Sequence, residues 1–170
     1  VKSFIEPPSP EERLTVVRQL AQAEGISMDR SLEKLLSSQI SGNGRTLQGA
    51  LKRLRLQGTR WKSSSAVLQA CGILDPYFAD HPDWDLRHRV MKAIGDLYED
   101  EQVDATDLAV YVLLKEAQLP EDDVARYFNV EPADAYLRCA RFEKRVLECP
   151  RTREIALKTV QATVESLHRE

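Results

Sequence analysis

The stretch Gly42-Asn43-Gly44-Arg45-Thr46-Leu47-Gln48-Gly49-Ala50-Leu51 decides how the chain is read. Gly42 and Gly44 make a flexible turn and Asn43 offers a capping side chain. Leu47, Ala50, Leu51 and Leu54 then recur at helical spacing, which predicts a helix running to about Gly58 with Arg45 in its first turn. A cation there opposes the helix dipole, a penalty of about 0.3–1 kcal/mol at an exposed N-terminus. Arg45 therefore points to a ligand carrying negative charge, with a solvated arginine as the plain alternative.

The flanking sequence predicts more helices. Ser9 as cap, Pro10 in the first turn and the acidic pair Glu11 and Glu12 open a helix to about Glu24, stopped by Gly25, with Leu14, Val17, Leu20 and Ala21 on its buried face. Asp29 caps a second helix in which Leu32, Leu35, Leu36 and Ile40 recur. Ser63 to Ser65 cap a short helix through Val67, Leu68 and Cys71, which makes four with the Arg45 helix.

Asn43, Arg45, Leu47, Gly49, Ala50 and Leu51 match the pattern Asn-x-Arg-x-Leu-x-Gly-Ala-Leu, and this stretch resembles the sensor 2 region of the DnaA family of AAA+ replication initiators. Residues 6–25, EPPSPEERLTVVRQLAQAEG, look like the start of that family's helical lid. The resemblance implies an AAA+ lid subdomain over residues 1–73, with sensor 2 at 42–54. It also implies that Arg45 reaches the phosphates of ATP held mainly by a nucleotide-binding subdomain, coupling nucleotide state to assembly. The chain itself carries no G-x-x-x-x-G-K-[ST] loop, no acidic pair after a strand to hold magnesium, and no nucleophile-base or paired-carboxylate set. It is expected to be no enzyme alone. ATP would be the cofactor of a longer parent, with Val1 to Pro8 as the connection to the missing subdomain.

The second half begins after a change of character. Asp75-Pro76 and His81-Pro82 are expected to break any helix, placing a linker at 74–83. Beyond it, Leu86, Val90, Ile94 and Leu97 predict an amphipathic helix, and Leu108 to Leu114 a core helix that is apolar nearly all round. Leu119 and Pro120 start a short helix through Val124 and Phe128. A turn at Asn129 and Val130 and a longer helix from about Pro132 complete a helix-turn-helix, with small Ala125 at the close approach and Asn129 suited to a left-handed turn. A last helix spans Arg151 to Leu167. No strand of period two occurs, so nine helical segments and an all-α class are expected.

This half resembles the DNA-binding domain of the same family. Leu108, Ala109, Tyr111 and Leu114 match its core helix, while Leu119, Pro120, Val124, Ala125 and Phe128 follow Leu-Pro-x-x-x-Ile-Gly-x-x-Phe, with Leu137 and Arg141 in register further on. The expected architecture is a four-helix lid, the linker, and a helix-turn-helix domain at 84–170; the two resemblances cover about residues 6–148. The departures fall on the reading residues. The family's Gly-Gly-Arg-Asp-His-Thr-Thr is here Asn129, Val130, Glu131, Pro132, Ala133, Asp134 and Ala135, and Asp104 and Thr106 stand where two arginines would precede the core helix.

Formal charge makes the same point. Asp75 to Asp134 holds 16 acidic and 5 basic residues, a net of minus 11, whereas Ala135 to Arg153 holds 6 basic and 2 acidic, a net of plus 4. An acidic surface reverses the counterion-release term that drives duplex binding. Arg138, Arg141 and Arg145 recur on one helix face, with Tyr136 read as near them, and form a candidate stripe for nucleic acid or an acidic partner; a solvated face is the alternative.

Composition bounds the rest. The 170 residues are 42% apolar and 30% charged, as in ordinary globular chains. No membrane segment and no signal-peptide pattern occur, so a cytoplasmic location is expected. Cys71, Cys139 and Cys149 lack CxxC spacing and are read as reduced packing residues. His81 and His88 flank HPDWDLRH, which reads as a helix-capping loop more readily than as a metal site. Three functional readings follow. One is a DnaA-like initiator or regulator binding origin DNA through an altered surface. Another keeps that parentage, with self-assembly through the AAA+ region, but turns the terminal unit into a docking module for replication proteins. The third is an unrelated all-α interaction domain.

Overall fold

The computed structural model describes residues 8–40, 44–98 and 103–169. The expected Val1–Pro8 connection except Pro8, the turn and cap at Gly42 and Asn43, and residues 99–102 of the acidic loop lie outside them. The protein is all-α. Among the described residues the helices are α1 (Pro10–Ala23), α2 (Arg30–Gln39), α3 (Gly44–Gln57), α4 (Ser64–Phe78), α5 (Leu86–Leu97), α6 (Ala105–Tyr111), α7 (Glu121–Phe128), α8 (Pro132–Glu148) and α9 (Pro150–Ser166).

Local chemistry explains the helix starts. Ser9 and Glu12 form a reciprocal capping box on α1, with Ser9 N–H donating to Glu12 Oε2 at 2.7 Å and Glu12 N–H to Ser9 Oγ at 3.3 Å. Asp29, Ser63, Asp85 and Asp104 cap α2, α4, α5 and α6 by accepting first-turn backbone N–H groups. After α1, Gly25 takes φ +71°, a left-handed conformation that glycine adopts without a Cβ penalty.

Two short extended pieces were not legible from periodicity. Ser27–Met28 (β1) and Arg60–Trp61 (β2) pair in parallel, clipping the loop after α1 to the loop before α4. Each has two residues, too short for an alternating pattern to register.

The expected helix break at Asp75-Pro76 does not occur, and α4 runs through Pro76 to Phe78. Pro76 forfeits one backbone hydrogen bond near the helix end. Burial offsets it: Leu74 and Phe78 are fully inaccessible, and Phe78 meets the Trp84 ring edge-on at 4.6 Å between centroids. Asp75 fastens the following turn, accepting from Trp84 Nε1 at 2.9 Å and from Arg87 Nη2 at 3.1 Å. Expected linker residues 74–83 thus include the last turn of α4. Leu97, expected on the buried face of α5, is 42% exposed.

Leu108 to Leu113 are all buried, and α6 continues into a π-helical turn at Val112–Glu116. That turn ends against α4, where the Ala117 carbonyl lies against Gly72; a Cβ on Gly72 would fall 1.7 Å from that oxygen. The closing helix α9 packs on α4, α5, α8 and the π-helical turn. Its buried Thr159 and Thr163 are satisfied within the helix, donating to Ile155 O and Thr159 O, each at 2.8 Å. One connected apolar core therefore includes Val17, Leu51, Leu68, Leu108, Phe142 and Val160.

Candidate functional site

Arg45 is exposed in the first turn of α3, while Ala50, Leu51 and Leu54 on the same helix are completely buried. The helix is thus anchored by its apolar face, with the arginine at its solvent end. Gly49 lies 3.7 Å, measured from an added Cβ, from the Tyr77 hydroxyl.

The α7–α8 pair is joined by Asn129, Val130 and Glu131. Asn129 adopts φ 53°, ψ 46°, the left-handed turn its side chain tolerates. Val130 N–H donates to Ala125 O at 3.0 Å, and buried Val124, Ala125 and Ala135 let the helices approach. Glu131 and Asp134 open α8 beside this turn, and exposed Arg126 lies in the last turn of α7, while Glu121, Asp122 and Asp123 fill the first turn at the other end of α7. Acids suit helix N-termini energetically, so each is locally stabilising while adding negative charge that repels phosphate.

Of the candidate arginines, Arg138 is half-buried and engaged, its Nη1 2.8 Å from Asp107 Oδ1. Asp107 in turn lies in the first turn of α6, which Asp104 caps through the Thr106 and Asp107 N–H groups at 2.9 and 3.0 Å. The segment expected to hold the family's arginines thus supplies a cap and an ion-pair partner for α8. Arg141 is exposed, and the Arg145 guanidinium lies 6.0 Å from the Phe142 ring centroid. Arg138, Arg141 and Arg145 do share one edge of α8, at the three- and four-residue spacing of neighbours on a helix.

Tyr136 does not join them. It lies two residues, about 200° of rotation, before Arg138. It is 59% exposed on another strip of α8 that sequence reading missed. Ala133, Tyr136, Leu137, Ala140, Lys144 and Leu147 follow one another along the outward face, with Leu137 57% and Leu147 72% exposed. The buried face of the same helix is Ala135, Cys139, Phe142 and Val146. Two interleaved helical periodicities in one segment are the sequence signal for it. Val130, Asp134, Leu137, Arg138 and Arg141 line a shallow hollow between this strip and the arginine edge.

Burial raises the Cys71 thiol to about 12 and the Cys139 thiol to about 11, consistent with packing residues that stay protonated. Cys149 is exposed, and hydrogen bonding from the Thr152 side chain and backbone lowers its thiol. His81 Nδ1 accepts from Asp83 N–H at 3.3 Å within the turn before α5. Among the described residues no group of three His, Cys, Asp or Glu is placed to hold a metal ion, and no helix is long and apolar enough to cross a membrane.

No protein-family model matches the chain, and no solved structure matches it.

Proposed function

We propose that the chain is the lid and terminal region of a DnaA-like AAA+ protein, in which Arg45 senses bound ATP and the α7–α8 unit docks a protein instead of reading duplex DNA. The observation carrying this reading is the start of α8, where Glu131 at the cap and Asp134 in the first turn stand among the residues a reading helix would present. Arg138, the first basic side chain of α8, is already committed to Asp107 at 2.8 Å. A duplex approaching the turn meets like charge and gains no counterion release there.

For ATP, Arg45 fits as one guanidinium contributed to phosphates that another part of the protein cradles. The chain has no phosphate-binding loop of its own. In a protein joining this chain to a nucleotide-binding subdomain, Arg45→Ala is expected to leave the helical fold unchanged and weaken the ATP-dependent step of assembly. An unaltered ATP response contradicts the sensing role.

A second reading rests on exposed Arg141 beside Arg145, which keep a basic edge that duplex phosphates would accept. Fluorescence anisotropy separates the two. The chain is titrated into a labelled duplex bearing a DnaA-type box and into a scrambled duplex, at low and moderate salt. The docking reading expects no binding to either at low salt. Box-specific binding establishes DNA reading through an altered surface, and equal, steeply salt-dependent binding establishes phosphate contact alone.

A further inference from the structure

The outward strip of α8 has no counterpart in a reading helix made to lie in a groove. Ala133, Tyr136, Leu137, Ala140, Lys144 and Leu147 recur at the i, i+3, i+4, i+7, i+11 and i+14 positions, the spacing by which one helix lies along another. Three of these side chains are large and more than half exposed, at 57% for Leu137, 59% for Tyr136 and 72% for Leu147. Ala133 and Ala140 add little side-chain bulk to the strip. Scattered exposed leucines are ordinary on a protein surface, but a continuous row on one helix face is a docking signature.

The rim defines the partner's charge. Along one edge stand Arg141 and Arg145, and Arg141 makes no ion pair among the described residues. Towards its C-terminal part the acids near the strip are paired: Glu143 meets Lys115 at 3.2 Å, and Glu148 approaches Lys144 at 3.9 Å. The hollow lined by Val130, Asp134, Leu137, Arg138 and Arg141 sets apolar side chains beside the Arg141 guanidinium, with Asp134 as its one acid and Arg138 held by Asp107. We propose that the outward face of α8 binds an amphipathic helix of a partner protein whose apolar row is flanked by glutamates or aspartates. This rests on the docking reading above and specifies its ligand.

A second copy of the chain suits the strip poorly. In an antiparallel two-fold pairing centred on Ala140, the arginine-bearing edge meets its own equivalent, placing like charges together. Positive helices are disfavoured by the same edge.

The test uses the whole chain and fluorescein-labelled synthetic helical peptides, each with leucines at i, i+3, i+4 and i+7. One has glutamate flanks, one lysine flanks, and one is the glutamate peptide scrambled. The glutamate peptide is expected to bind saturably, at least ~10-fold more tightly than the other two. Arg141→Glu, and separately the neutral pair Leu137→Gln with Leu147→Gln, are each expected to weaken it by at least ~10-fold. Far-UV circular dichroism and thermal melting confirm that these exposed substitutions leave the fold intact. Equal affinity for glutamate and lysine peptides overturns the proposal, as does unaltered binding by the leucine variants. No peptide binding, with duplex also unbound, overturns this inference while leaving the docking reading standing; duplex binding overturns both. Sedimentation equilibrium is expected to show a monomer, and a dimer dispersed by the leucine substitutions overturns the proposal in favour of a second copy.

Discussion

Gly72 shows how much a single position decides. Its missing side chain lets the α4 backbone meet the Ala117 carbonyl, and a methyl group there would sit 1.7 Å from the oxygen. Because the obstacle is backbone, it cannot rotate away. Gly72→Ala is therefore expected to destabilise the protein by at least about 1–3 kcal/mol, the usual range for overpacking, measured by urea unfolding. Asp29 is the second such position. Partial burial works to raise its carboxyl, but hydrogen bonds from the Ser31 side chain and backbone outweigh this and hold it below the usual value. A lowered carboxyl contributes stability that is present above its unfolded value and lost as pH falls through the folded one. Thermal melting across pH should thus show Asp29→Asn losing less stability on acidification than the native chain, while Asp29→Ala also loses the cap, about 1 kcal/mol at neutral pH. The Asp29 cap was legible because capping is local. Gly72 was not, since its partner lies 45 residues away in sequence and glycine in a helix has no local signature of close approach.

At the scale of elements, periodicity and caps located the helices, and tertiary burial decided where they ended. The α4 helix was expected to stop near Cys71, yet Leu74, Phe78 and Trp84 extend it through Pro76 because proline's penalty near a helix end is smaller than the gain from burying aromatic surface. In α3 the separation of roles was legible: Leu51 at zero exposure carries packing, and exposed Arg45 does not. Leu51→Ala is expected to cost about 2–5 kcal/mol in chemical unfolding, whereas Arg45→Ala should change stability by less than about 0.5 kcal/mol. A large loss from Arg45→Ala would assign that residue to the fold. The outward strip of α8 is masked in the sequence because one helix carries two apolar rows, and a single amphipathic period describes only one of them.

Across the whole molecule, charge is the organising quantity. The acids that cap α5 and α6 and those in the first turn of α7 lie in the region of net minus 11, so local helix stability and long-range repulsion of phosphate come from the same side chains. That imbalance was plain in the sequence. What sequence could not convey was that Arg138 turns inward to Asp107 and that α9 packs against α4 as well as α8, uniting the two halves in one core. Both depend on contacts between residues far apart in the chain. The most direct measurement is an amide correlation spectrum of the isotopically labelled chain titrated with box-bearing duplex at low salt. The account predicts that resonances of Asn129 to Glu148 stay in place. Progressive, saturating shifts centred on Arg141 and Arg145 would contradict it and restore α8 as a DNA-reading helix.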